Sequence, residues 1–172
     1  MAPSPYDLRP AGPDDEPFLW AMLYEAAHAA EDGTASPDDL KAVPELAHYV
    51  AGFGRPGDLG VIGTVGGTPQ GAAWLRLFPA DDPAYGWVDA ATPELAIGVA
   101  PAARGTGLGT ALLARLLADA REQGTAAVSL SVREANPARR LYERLGFVPV
   151  DGDPVPDRTG GGHSITMVMR LA

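Results

Sequence analysis

Glu94-Leu-Ala-Ile-Gly-Val99-Ala-Pro-Ala-Ala-Arg104-Gly-Thr-Gly-Leu-Gly109 is the stretch on which the reading of this chain turns. Glu94 to Val99 is a short apolar run and predicts a strand. Glycines at 105, 107 and 109 then open a long amphipathic segment. Leu108, Leu112 and Leu116 form one stripe, with Leu113, Leu117 and Ala120 beside it, so the spacing predicts a helix over Thr106–Gln123. A strand, a glycine turn and a helix start make an anion trap. The first N–H groups of a helix have no internal partner, the helix dipole adds positive potential, and glycines keep side chains out of the way. A diphosphate is the natural guest.

Register decides against two common diphosphate ligands. A dinucleotide fingerprint, Gly-x-G-x-x-Gly/Ala, places its last position on Thr110 when started at Gly105, and on Leu112 when started at Gly107. Both fail, and no second βαβ unit surrounds the segment. A P-loop needs a lysine after its last glycine, and the sole lysine is Lys41.

Working outward, Tyr6–Arg9 predicts a short first strand. Phe18–Ala30 predicts a helix entered through Asp14-Asp15-Glu16-Pro17. Ser36-Pro37-Asp38-Asp39 announces a second helix running to Val50, with Pro44 a potential kink. Leu59–Val65 and Gly71–Phe78 read as a hairpin around Gly66-Gly67. Trp87–Ala90 and Glu94–Val99 read as strand pieces around Thr92-Pro93. Ala127–Val132 is a further strand, and Asn136–Leu145 a short helix stopped at Gly146. Phe147–Val150 and Ser164–Leu171 predict a closing strand pair joined by a loop over Asp151–Gly162. With no internal repeat and no linker, the pattern is one mixed α/β domain over residues 1–172.

Composition narrows the function. Of 172 residues, 46% are apolar and 20% charged, which is a globular balance. No uninterrupted apolar run reaches the roughly 18 residues a bilayer span needs. The N-terminus lacks the pattern of a secretion signal, so a cytoplasmic setting is the expectation. The absence of cysteine excludes disulfides, thiolate metal sites and a cysteine nucleophile. His28, His48 and His163 are far apart in sequence, which disfavours a histidine metal site. The net charge of −9 disfavours nucleic acid and suits small cationic molecules, including most amines.

Arg104-Gly-Thr-Gly-Leu-Gly109 after Val99-Ala-Pro101 resembles the acetyl-CoA motif of the GNAT superfamily of acetyltransferases, Arg/Gln-x-x-Gly-x-Gly/Ala after a strand ending in Val-x-Pro. Asn136-Pro-Ala-Arg-Arg-Leu-Tyr142-Glu-Arg-Leu-Gly146-Phe147 resembles that family's downstream Asn…Tyr-x-x-x-Gly-Phe segment. The element order follows the family from Tyr6 to Leu171, most loosely over the first fifty residues.

The resemblance implies a GNAT-like α/β domain: a mixed, mostly antiparallel sheet of about seven strands and about four helices. Two strands splay to form an acetyl-CoA wedge. It implies acetyl-CoA as co-substrate, no metal, and direct transfer to an amine. By the same resemblance, the main chain of Ile97 and Val99 contacts the pantetheine arm, and Asn136 bonds it. The N–H groups from Arg104 to Thr110, through Gly105, Thr106, Gly107, Leu108 and Gly109, hold the pyrophosphate. Tyr142 protonates the leaving thiolate. Glu94 accepts the amine proton, often through water, and an N–H near Ile97 or Gly98 serves the oxyanion.

Bland readings stand beside these roles. Tyr142 also fits a core aromatic, Asn136 a plain helix N-cap, Glu94 a solvated strand residue, and the glycines a tight turn. For the acceptor, Trp20, Tyr24, Tyr85 and Trp87, with Tyr49, Phe78, Asp81, Asp82, Asp151 and Asp153, are candidates to receive an ammonium group. The expected acceptor is a small-molecule amine. The alternatives are a protein N-terminus or lysine, or a regulatory module that binds acetyl-CoA without catalysis. A homodimer is compatible with all three.

Overall fold

The computed structural model describes residues 5–30, 32–150, 155–156 and 162–171. They form two compact units. One comprises residues 1–75 and 96–120, the other residues 76–95 and 121–172.

The first unit begins with an antiparallel run of three strands. β1 (Asp7–Pro10) pairs with β2 (Leu59–Val65), and β2 with β3 (Thr68–Arg76), in the registers Leu8↔Gly63 and Ile62↔Ala72. The β2–β3 hairpin turns at Gly66-Gly67, as the sequence predicts. β3 starts earlier and stops at Arg76, short of the expected Phe78. Helix α1 (Glu16–Ala26) buries Leu19, Trp20, Met22 and Leu23. It ends four residues before the expected Ala30, where His28 adopts a positive φ of 52° and closes the helical path. The expected second helix is two pieces. A 3-10 helix spans Pro37–Ala42, with Asp39 accepting the Ser36 N–H, and the four-residue α2 (Pro44–Ala47) follows. Pro44 lacks an N–H and holds Val43 extended, so it starts a new helix and does not merely kink the old one.

The last four residues of β4 (Glu94–Val99) lead through a 3-10 turn, Pro101–Ala103, into α3 (Leu108–Glu122). The α3 face predicted from its leucines is the buried one: Leu108, Leu112, Leu113, Leu116, Leu117 and Ala120. β4 approaches α1 closely at Gly98. A side chain there would start 2.1 Å from the Met22 carbonyl oxygen.

The second unit is built on β5 (Ala127–Arg133). It pairs in parallel with β4 at Glu94↔Ser129, and antiparallel with β8 (His163–Arg170) from Ala127↔Arg170 to Arg133↔Ser164. β8 also carries β6 (Val148–Pro149) and, at its start, β7 (Val155–Pro156), a short strand inside the segment read as a loop. Most of that segment, with Asp151 and Asp153, lies outside the described residues. Helix α4 (Ala138–Leu145) ends at Gly146, which is left-handed at φ 113°.

Trp87–Ala90 is not a strand. Its polar groups are satisfied locally: the Trp87 N–H bonds the Ala84 carbonyl, the Trp87 indole bonds the Phe78 carbonyl at 2.9 Å, and Asp89 accepts the Ala91 N–H. An Asx turn of this kind competes with strand pairing.

Candidate active site

Gly105 and Gly107 have φ of 74° and 91°, values that side-chain-bearing residues rarely adopt. They turn the chain so that α3 starts at Leu108, two residues later than the apolar spacing suggests. Ala111 is the first residue to bond back, to the Gly107 carbonyl at 3.1 Å. The N–H groups from Gly105 to Thr110 have no backbone acceptor among the described residues. Gly105, Thr106, Gly107 and Thr110 are exposed, whereas Leu108 is buried and Gly109 half-buried.

Arg104 departs from expectation. Its N–H bonds the Pro101 carbonyl at 3.3 Å, so the run of open donors begins at Gly105. Its guanidinium bonds Glu25 of α1 at 2.6 Å and reaches the Val99 carbonyl at 3.4 Å. The loop is braced from two further points. Tyr6 donates to the Thr106 carbonyl, and the Thr106 hydroxyl donates to the Ala103 carbonyl at 2.5 Å. Ile97 and Val99 lie below this helix start. Their side chains come within 4 Å of where a Gly109 side chain would begin.

In the second unit, Asn136 behaves as the cap its sequence context suggests. Its Oδ1 accepts the Ala138 N–H at 2.9 Å, with Pro137 filling the next position. Tyr142 is 8% exposed, and its ring meets Phe147 edge-on at 6.0 Å between centroids. Burial disfavours the phenolate and pushes the phenol up to about 12. Glu94 is 2% exposed and is therefore not a solvated strand residue. Its carboxylate lies 2.8 Å from where a Gly86 side chain would begin, and that point is also 2.6 Å from the Leu130 carbonyl carbon. Only glycine fits between the carboxylate and the β5 backbone.

The aromatic candidates for the acceptor have different surroundings. Trp20 is core: its indole bonds Glu16 at 3.2 Å, and the Lys41 ammonium stands 5.5 Å from its ring. Tyr24 donates to the Thr34 carbonyl at 2.7 Å. Tyr49 and Phe78 are buried. Trp87 is tied to Phe78, whereas Tyr85, Asp81 and Asp82 are exposed in the loop after β3. No cluster of three metal-ligating side chains occurs among the described residues.

Sequence reading passed over three residues here. Glu25 gives no local signal, because its partner is 79 positions away. Gly86 is one glycine among 21. Ser129 is fully buried and carries a hydroxyl with no hydrogen-bond partner among the described residues. Its signal was available: a serine inside Ala127-Val-Ser-Leu-Ser-Val132, an otherwise apolar run.

Comparison with known proteins agrees with this geometry. The family model described as "Acetyltransferase (GNAT) family" matches residues 19–147. A mycothiol acetyltransferase of Pseudarthrobacter chlorophenolicus is 34% identical over 157 residues, covering 88% of this chain and 45% of the relative. The chain thus spans about half the length of such relatives. A [ribosomal protein bS18]-alanine N-acetyltransferase of Haemophilus influenzae is 44% identical over 55 residues, covering 32% of this chain and 38% of the relative. Among solved structures, that of yncA from Salmonella typhimurium with its cofactor acetyl-CoA superposes with a TM-score of 0.69 at 25% identity, over 98% of this chain and 95% of that one. The fold is accordingly GNAT-like α/β, and the chain belongs to the acetyltransferase (GNAT) family.

Proposed function

We propose that this chain is an acetyl-CoA-dependent N-acetyltransferase, working as one domain over residues 1–172 and acetylating a primary amine of a small molecule directly in a ternary complex. The observation that carries the reading is the run of N–H donors from Gly105 to Thr110 with no backbone acceptor among the described residues, at the start of a 15-residue helix. It fits a pyrophosphate in shape and in charge. A relative of similar fold is named with acetyl-CoA as its cofactor.

When bound, acetyl-CoA supplies an acetyl thioester, an acyl donor that leaves as a thiolate. The Gly105–Thr110 amides hold its phosphates, the Ile97 and Val99 main chain and Asn136 align its arm, and an N–H near Ile97 or Gly98 meets the negative charge on the carbonyl oxygen. Glu94 takes the proton that the attacking amine must lose. Tyr142 donates to the departing sulfur. Burial holds the phenol protonated at neutral pH, so it is available to protonate the departing thiolate.

The small-molecule acceptor is favoured because the mycothiol acetyltransferase match runs over 88% of the chain, whereas the ribosomal-protein match is confined to 32%. A peptide acceptor is the second reading, supported by that shorter segment at 44% identity. A thiol-release assay with acetyl-CoA against a panel of small amines and peptides separates them. Release with small amines and none with peptides is expected. Release with peptides alone overturns the preference, and release with no acceptor counts against catalysis.

A further inference from the structure

Ser129 lies at the one position of β5 paired in register with Glu94 of β4. Paired residues of neighbouring strands project to the same face of a sheet. The Ser129 side chain is 0% exposed, and its hydroxyl has neither donor nor acceptor among the described residues. The strand backbone is not at fault: the Ser129 N–H bonds the Pro93 carbonyl at 3.0 Å. A buried hydroxyl left without a partner carries a desolvation cost that native interiors rarely tolerate. Alanine would fill the same space without that cost. A side chain at position 86 would start 2.6 Å from the Leu130 carbonyl carbon and 2.8 Å from a Glu94 carboxylate oxygen, so Gly86 leaves the space there to the Glu94 carboxylate.

We propose that Ser129 is a positioning residue for proton transfer: its hydroxyl anchors a water that relays the acceptor's proton to Glu94. The inference rests on the base role given to Glu94 above and adds to it the group that fixes the relay. The balance is simple. The substrate ammonium gives one proton to the water oxygen while that water gives one of its own to a Glu94 oxygen. The water is regenerated, the amine gains its lone pair, and nothing is oxidised or reduced. Ser129 touches the water and not the substrate. A buried polar site of this kind, with a hydroxyl and a carboxylate to offer, meets the two-partner minimum for an ordered water.

The test is Ser129→Ala, measured beside Glu94→Gln and the unaltered chain, with whichever amine the thiol-release assay identifies. Ser129→Ala is expected to keep its melting temperature, since it removes an unpaired hydroxyl. It should lower kcat about tenfold, the scale of one lost hydrogen bond, while KM for acetyl-CoA stays unchanged. A high-resolution crystal structure of the unaltered chain should show a water bonded to both Ser129 Oγ and a Glu94 oxygen, and that water should be gone in Ser129→Ala. If Glu94→Gln depresses kcat and Ser129→Ala does not, the relay is wrong and the base role stands. If Glu94→Gln itself leaves kcat intact, the base role falls and takes the relay with it. Absence of any water within hydrogen-bond distance of Ser129 Oγ in the crystal also overturns the proposal.

Discussion

Tyr142 carries the plainest consequence of burial at the residue scale. Its phenol is raised because the charged form loses solvation, and no positive neighbour offsets that loss. An acid works only while protonated, so activity that depends on it is lost as pH rises through its value. With that value near 12, turnover should hold through pH 10, where an ordinary tyrosine would begin to fail. A basic-side decline centred near 10 that disappears in Tyr142→Phe would contradict this. Tyr142→Phe itself should lower turnover on the order of 10²-fold with little change in KM for acetyl-CoA. The two residues differ in what sequence disclosed. Tyr142 was legible because its spacing to Gly146-Phe147 repeats a family pattern. The burial of Glu94 was not; the close approach of Gly86 to its carboxylate comes from a loop whose path no local periodicity encodes.

At the scale of elements, sequence was most readable where one residue period decides the outcome. The hairpin of β2 and β3 and the buried leucine face of α3 follow from two apolar runs around a Gly-Gly turn and from a helical stripe. It failed where local polar bonds compete with the period, as in the Trp87–Ala90 loop and the 3-10 segment before Pro44. Close backbone contacts between elements were equally hidden. Gly98 shows this best: its place in Ile97-Gly-Val99 reads as a cofactor strand, yet the need for glycine comes from the Met22 carbonyl of α1. Gly98→Ala should destabilise the fold by about 1–3 kcal/mol, as over-packed sites do, and lower the melting temperature. An unchanged melting temperature would show that α1 yields there without cost.

The start of α1 makes a second prediction at the same scale. Arg9 of β1 grips Asp15 through two bonds, at 2.7 and 2.9 Å, and the Gly12 N–H adds a third. The Arg9 bond holds the carboxyl below its ordinary range; desolvation opposes it, and the weaker Gly12 bond adds to it. A folded-state value below the unfolded one means the stabilisation is fully present above the ordinary carboxylate range. It is lost as pH falls through the folded value. Asp15→Asn should therefore melt lower than the unaltered chain at pH 7, with the gap closing in strong acid. A gap that persists unchanged below pH 2 would assign the effect to something other than the carboxylate charge.

For the whole molecule, the donor side is specified far better than the acceptor side. The reason is physical. A pyrophosphate is recognised by main-chain N–H groups, so its site is written in glycines and in a helix start that sequence displays directly. An acceptor amine is recognised by side chains gathered from distant segments, which no local pattern in the sequence groups together. The relatives leave the acceptor similarly open, being matched over 45% or less of their own length by this chain. The central claim is that the Gly105–Thr110 loop holds CoA, and thermal unfolding of the chain against rising CoA concentration tests it most directly. At one hundred times the dissociation constant, binding adds about 2.7 kcal/mol, which for a domain of this size raises the melting temperature by about 5–10 °C. A rise that saturates in that range is the predicted result. No rise at any CoA concentration up to several millimolar would contradict the account.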